Sequence, residues 1–287
     1  MIFGLTAALG WGLADYAGAV AGRRIGSLPT VVMGQVLSAV FMTVLVVATG
    51  QEVSRAGAFL GLLALNGIFT SFAYATHYKA LELGPVAVVS PIGGAYAVVG
   101  IALAIAINGE DPGAVALGGA VVTVAGVVLV STDIAAFRAG VRGGAPGLRW
   151  SVVASISFGV AAFLLGTAAQ EMGWVLGLWG SRIAQVTCYL PVVALQRGDF
   201  ATLRAGGART GIVVALAAGA GDILGVTTYS AGAEAGFLSI VLAASAIFPM
   251  VAVLLSIAFL HERLAANQWL GLLLVVIGLL LLGSGAQ

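Results

Sequence analysis

Long uncharged stretches constrain this chain more than any other feature of its sequence. Seven stretches of at least 20 residues contain no charged side chain, and three more are interrupted once each, by Asp15, Arg182 and Asp222. A bilayer core about 30 Å thick is crossed by a helix of about 20 mainly apolar residues. The sequence therefore predicts an all-α membrane protein with ten transmembrane helices. In chain order the predicted spans are 1–22, 25–50, 56–76, 83–109, 112–132, 150–170, 172–196, 210–233, 235–261 and 264–287.

The composition excludes several classes of protein. Charged residues make up 8% of the chain, where soluble domains carry about 25%, so most of the surface is expected to contact the lipid bilayer. A net charge of +1 gives no reason to expect nucleic acid as a partner. Cys188 is the single cysteine, and Lys79, the single lysine, lies outside any P-loop pattern. We predict no cofactor, no bound metal and no ATP-driven motor.

Basic residues indicate how the bundle is oriented. If the spans are numbered 1 to 10, the connections 1–2, 3–4, 5–6, 7–8 and 9–10 lie on one side. Only Arg55 lies on the other side, which holds both chain ends. Basic residues concentrate on the cytoplasmic side of membrane proteins, so this distribution predicts both chain ends outside the cytoplasm. The basic residues of the first side are Arg23, Arg24, Lys79, Arg138, Arg142, Arg149, Arg197, Arg204, Arg209 and Arg263.

The second half of the chain repeats the first. Trp11-Gly12 matches Phe158-Gly159, and Gln35 matches Arg182, at a separation of 147 residues. From the third span onward the separation is 152, and it pairs Glu82 with Glu234, Gly84 with Gly236, Tyr96 with Phe248, Glu110 with Glu262, Gly119 with Gly271 and Gly126 with Gly278. Each half holds five spans, an odd number, so the second half must enter the membrane from the opposite side. We predict two inverted five-helix repeats, 1–132 and 150–287, joined by a loop at 133–149, as in many secondary transporters.

Several short motifs then resemble the EamA-type, ten-helix branch of the drug/metabolite transporter superfamily. The motifs are Gly10-Trp11-Gly12, Ala80-Leu81-Glu82-Leu83-Gly84-Pro85, Phe248-Pro249, and Leu260-His261-Glu262-Arg263-Leu264 followed by Gly271 and Gly278. The resemblance covers nearly the whole chain and implies a membrane transporter of bacterial type, in the cytoplasmic membrane. It also implies both chain ends in the cytosol, against the charge distribution. The first repeat departs from the pattern, with Ala97 opposite Pro249 and Pro91 six residues earlier.

The charged residues inside spans are candidates for function, because burying a charge in a bilayer is costly. Asp15 lies midway through span 1 and is a candidate for proton coupling or substrate binding; small multidrug relatives use a carboxylate of their first helix in this way. The alternative is a structural ion pair with Arg182. Arg182 itself is a candidate for binding an anionic substrate group, or the charge partner of Asp15 or Asp222. For Asp222 we expect structural hydrogen bonding between packed helices, with a role in transport as the alternative.

Aromatic and polar residues beside these charges are expected to line a cavity, with the membrane interface as the alternative for the tyrosines of span 3. The candidate substrate-binding residues are Trp11, Asp15, Tyr16, Asn66, Tyr74, Tyr78, Tyr96, Trp179, Arg182, Gln185 and Phe248. His77 is expected at the interface. Pro91 and Pro249 are candidates for helix kinks, either static or part of a gate.

These observations predict a secondary transporter that moves a small metabolite or amphipathic compound by alternating access, with export coupled to protons as the favoured form. A passive channel is the first alternative. A membrane-embedded enzyme acting on lipid-linked substrates is the second, but the sequence has no cluster of acids, serines and histidines at a predicted interface.

Overall fold

A computed structural model of the chain describes residues 1–83, 92–132, 147–204, 208–251 and 265–285, together with the single positions 89, 134 and 138. The described residues form helices joined by short connections, and no strand occurs among them. The helices are α1 (Ile2–Ile25), α2 (Ser27–Ala48), α3 (Leu60–Leu83), α4 (Tyr96–Asn108), α5 (Gly113–Ser131), α6 (Gly147–Met172), α7 (Trp174–Leu195), α8 (Ala208–Ala235), α9 (Leu238–Ser245) and α10 (Ala266–Gly285).

Large apolar side chains cover the outside of this bundle. Val47, Leu195 and Leu280 are each more than two-thirds exposed, and contiguous apolar surface of this kind is avoided by soluble monomers. Among the described residues, six helical segments are long and apolar enough to cross a membrane, while Ile92–Asn108 and Leu238–Val251 are shorter apolar helices. The chain is thus a multi-pass helical membrane protein. The larger number of ten spans remains a prediction.

Glycines set the ends of the first helices in both halves. Gly26 separates α1 from α2 with φ +92° and ψ 153°, and Gly173 separates α6 from α7 with φ +87° and ψ 147°. This backbone conformation is essentially restricted to glycine. The two glycines are 147 residues apart, and short 3-10 helices, Val53–Phe59 and Arg197–Arg204, follow α2 and α7 at the corresponding positions.

Two predicted spans are interrupted. Predicted span 4 has a turn at Ala95, immediately before α4, and predicted span 9 has a turn at 246–247, after which helix resumes at Phe248. Pro249 cannot donate the backbone hydrogen bond that would continue the helix from Ser245, because proline lacks an N–H. Pro91, the other predicted kink, lies outside the described residues, as does most of the connecting loop at 133–149. The structure extends α6 to Gly147, three residues before the predicted start of span 6.

Three close helix pairs hold the bundle together: α1 with α8, α3 with α6, and α5 with α10. Glycine lets the backbones approach in the pairs α1–α8 and α5–α10. In α5 and α10, Gly119 faces the Gly278 carbonyl and Gly126 faces the Gly271 carbonyl. The pairs α1–α8 and α3–α6 each join one helix of the first half to one of the second, and a cavity lies between them.

Candidate substrate cavity

The cavity has a volume of about 90 Å³, enough for several water molecules or a compact ligand. Helices α1, α3, α6, α7 and α8 contribute most of its wall, and Gly93, Tyr96 and Phe248 complete it beside the two turns. Most lining side chains are apolar or aromatic, with a few polar groups among them, which is typical of small-molecule sites. The lining residues are Trp11, Ala14, Asp15, Asn66, Thr70, Tyr74, His77, Tyr78, Gly93, Tyr96, Phe158, Ala161, Ala162, Leu165, Leu178, Ser181, Arg182, Asp222, Val226, Tyr229 and Phe248.

Arg182 of α7 is the centre of a buried polar network. Its Nη2 lies 3.3 Å from Asp222 Oδ2 of α8, and both side chains are more than nine-tenths buried. Arg182 Nη1 donates to Gln35 Oε1 and to Gln185 Oε1, each at 2.6 Å. Tyr74 donates its hydroxyl to Asp222 Oδ1. The carboxylate of Asp222 therefore compensates the charge of Arg182. A buried guanidinium without such a partner would be strongly destabilising.

Asp15 and His77 form a second polar pair on the cavity wall. Asp15 Oδ1 of α1 lies 3.2 Å from His77 Nε2 of α3, and the His77 side chain is 4% exposed. In the described part of the chain no lysine or arginine forms an ion pair with Asp15. The second oxygen of Asp15 and Nδ1 of His77 are buried and have no hydrogen-bond partner among the described residues. With His77 neutral, this pair carries one uncompensated negative charge.

Aromatic rings pack around both polar pairs. Phe158 contacts Tyr74 and His77 edge to face, with ring centroids 5.0 Å and 5.5 Å apart. Trp11 lies 5.6 Å from the ring of Tyr229 and 6.2 Å from that of Tyr96. Edge-to-face pairs are favourable beyond the area they bury, so these rings form a firm apolar wall.

The structure brings most of the predicted binding residues to the cavity and leaves three outside its lining. Those that line it are Trp11, Asp15, Asn66, Tyr74, Tyr78, Tyr96, Arg182 and Phe248. Tyr16 is 65% exposed on the outer face of α1. Gln185 is buried behind Arg182, and Trp179 donates its ring N–H to Thr43 Oγ1 at 3.1 Å. The function of all these residues stays a prediction.

Two expectations about the charges need correction. The suggested Asp15–Arg182 pair does not occur, because Arg182 pairs with Asp222 and Asp15 with His77. His77 is a buried cavity residue and not an interfacial one. Asp222 forms the expected hydrogen bonds between helices, to Arg182, Gln35 and Tyr74, and it also lines the cavity. In helices that are almost uniformly apolar, hydrophobic periodicity does not show which face of the helix a side chain lies on. The ion-pair partners therefore could not be assigned from the sequence.

Sequence reasoning missed several lining residues, among them Tyr229 and Phe158. The repeat could have identified Phe158, because it is separated by 147 residues from Trp11, a predicted lining residue. Tyr229 is separated by 152 residues from His77, which was itself not predicted to line the cavity. Tyr229 donates its hydroxyl to the Ala162 carbonyl at 2.8 Å, and Ala162 corresponds in the same way to Asp15.

The bundle and its cavity define a class of protein, the multi-pass helical membrane proteins with a cavity between helices of their two halves. Residues 1–132 match the EamA-like transporter family, which belongs to the drug/metabolite transporter superfamily. The resemblance stated for the sequence is thereby confirmed over that segment, and it points to a membrane transporter of small molecules and not to an enzyme. The match ends at the residue where we placed the end of the first repeat.

Two further comparisons bear on the fold. A solved structure described only as the crystal structure of a protein is similar over 99% of this chain and 96% of that one, with a TM-score of 0.72 and 19% sequence identity. At this identity the similarity concerns the fold alone. No curated protein matches the chain.

Proposed function

We propose that the protein is a secondary transporter that exports a small metabolite or amphipathic compound by alternating access, with protons as the coupling ion. Its two halves, 1–132 and 150–287, are inverted five-helix repeats joined by the segment 133–149. Together they supply ten spans in the cytoplasmic membrane of a bacterium. The lipid bilayer and a small-molecule substrate are its partners.

The observation that carries this proposal is that one contact between the halves occurs twice, each half supplying each of its two members once. A Cβ on Gly12 of α1 would meet Val251 Cβ at 2.5 Å, and a Cβ on Gly159 of α6 would meet Val99 Cβ at the same distance. Gly159 follows Gly12 by 147 residues and Val251 follows Val99 by 152. Each half therefore packs against the other through the same surface.

The aromatic side chains of the cavity wall show the same correspondence between the two halves. The centroid distance between Trp11 and Tyr229 is 5.6 Å, and the corresponding pair, Phe158 and His77, is separated by 5.5 Å. A cavity between two such halves supports alternating access, because exchanging the conformations of the halves would open it first to one side and then to the other.

The proton site in this proposal is Asp15, an acidic group on the cavity wall whose described charge partner is a histidine. We expect Asp15→Asn protein in proteoliposomes to lose proton-driven uptake of a substrate found by a ligand-stabilisation screen, because asparagine cannot exchange a proton. Substrate counterflow at equal pH on both sides, measured at a substrate concentration that saturates the variant, should persist, since it needs no net proton movement. Glu171→Gln, at an exposed carboxylate, is the matched control.

Counterflow also separates this proposal from a passive channel. A carrier exchanges substrate across the membrane and is stimulated by substrate on the far side, whereas a channel is not. Absence of such stimulation in the wild-type protein would contradict alternating access. Wild-type rates of proton-driven uptake in Asp15→Asn would contradict the coupling role of Asp15 alone.

A further inference from the structure

The approximate twofold relation between the halves allows the charged pair Asp15–His77 to be compared with its own counterpart. The equivalent residues in the second half are Ala162 and Tyr229, which also form a hydrogen bond, from the Tyr229 hydroxyl to the Ala162 carbonyl at 2.8 Å. Both bonds join the same two helix positions, and both rings pack on an aromatic side chain of the opposite half. The fold therefore makes this contact in the second half without a carboxylate or an imidazole.

An ionisable pair at this place is thus unnecessary for packing and costly in a membrane. The acceptor atoms of this pair that have no hydrogen-bond partner indicate which kind of chemical group it binds. A carboxylate can only accept, so Nε2 of a neutral His77 donates to Asp15 and Nδ1 becomes an acceptor. Asp15 Oδ2 and His77 Nδ1 are then two buried acceptors without a partner among the described residues.

The charge of this pair and the size of the cavity narrow the chemical class of the ligand further. Two acceptors that carry one uncompensated negative charge complement the N–H donors of a primary ammonium group. Trp11 lies one helical turn from Asp15 on α1, where its ring can contact a cation or an apolar group. Most of the remaining wall is aliphatic or aromatic, and the cavity volume of about 90 Å³ suits a compact molecule.

We propose that Asp15 and His77 bind the ammonium group of a compact amine with an apolar body, and that such an amine is the substrate class of this transporter. Only the statement that the amine is transported rests on the proposed function. The binding site for the amine can be tested by binding alone. The Arg182–Asp222 pair is already neutral and is not the site of the cation.

The test uses three probes with the same body: 3-methylbutylamine, 3-methylbutanol and 4-methylpentanoate. Their affinities are measured by calorimetry on purified full-length protein. The variants are Asp15→Asn, which keeps the size of the side chain, and Asp15→Ala/His77→Tyr, which gives the first half the uncharged pair of the second. We expect the amine to bind the wild type best and its affinity to fall at least tenfold in both variants, with the alcohol unchanged.

Equal amine binding by the wild type and by folded Asp15→Asn protein would overturn the inference. Preference of the wild type for the carboxylate or the alcohol, or a failure to bind the amine at all, would do the same. Because binding is measured without transport, a protein that binds the amine through Asp15 but shows no counterflow would overturn the transporter proposal and leave this site intact.

Discussion

At the scale of residues, the two halves differ in charge where they agree in packing. Arg182 and Gln35 occupy equivalent positions and are hydrogen-bonded to each other across the interface between the halves. The counterpart of Asp222 is Thr70, which also lines the cavity. The first half therefore places the neutral residues Gln35 and Thr70 where the second half places an ion pair.

This comparison leads to a prediction about stability. Asp222→Thr leaves the guanidinium of Arg182 buried without its carboxylate, and removing one member of a buried ion pair costs about 3–5 kcal/mol. The double variant Arg182→Gln/Asp222→Thr removes both charges and uses the residue types of the first half, so it should be less destabilised than the single variant. Thermal unfolding of the detergent-solubilised proteins gives the ranking, and a double variant that melts below Asp222→Thr would contradict it.

At the scale of helices, glycine position decides which surfaces meet. A Cβ on Gly119 would lie 2.6 Å from the Leu282 backbone nitrogen of α10, whereas a Cβ on the adjacent Gly118 would have no atom within 4 Å. We expect Gly119→Ala to force α5 and α10 apart and to lower the free energy of unfolding by about 1–3 kcal/mol, as overpacking does.

Gly118→Ala is the matched control in the same helix. It should leave stability unchanged or raise it by up to about 1 kcal/mol, because alanine favours helix over glycine. Melting temperatures of the two purified variants provide the measurement. Equal effects at both positions would show that glycine in α5 serves something other than this contact.

The sequence predicted the helices better than it predicted their contacts. Runs of apolar residues place α2 and α7 within a few residues, because charges cannot remain in lipid and so mark the ends. The exact positions of the turns at Ala95 and at 246–247 escaped prediction, since both lie inside apolar runs in which only Pro91 and Pro249 indicate a kink. For the cavity, residue type identified Asp15 and Arg182, but pairing depends on helix rotation, and an almost uniformly apolar helix carries no periodic signal of its rotation.

At the scale of the whole molecule, two equivalent carboxylates, Glu82 and Glu234, show the same correspondence between the halves that the cavity residues show. Glu82 accepts from Ser27 Oγ at 2.8 Å at the start of α2, and Glu234 accepts from the Trp174 backbone N–H at 2.7 Å at the start of α7. If the halves are inverted, these two helix starts face opposite sides of the membrane. The ten-to-one distribution of basic residues then assigns the side of Ser27 to the cytoplasm.

Single cysteines test inversion and orientation together. In a Cys188→Ser background, Ser54→Cys and Ala201→Cys mark equivalent exposed positions in the two 3-10 connections. We expect a membrane-impermeant maleimide to label the first in intact cells and the second only after the membrane is opened. The pair Glu171→Cys and Arg24→Cys should behave in the same way, because these exposed positions are also 147 residues apart. Labelling of both members of a pair from one side would contradict inverted repeats. The opposite pattern in both pairs would be consistent with inverted repeats but would place the chain ends in the cytosol, as the family resemblance implies.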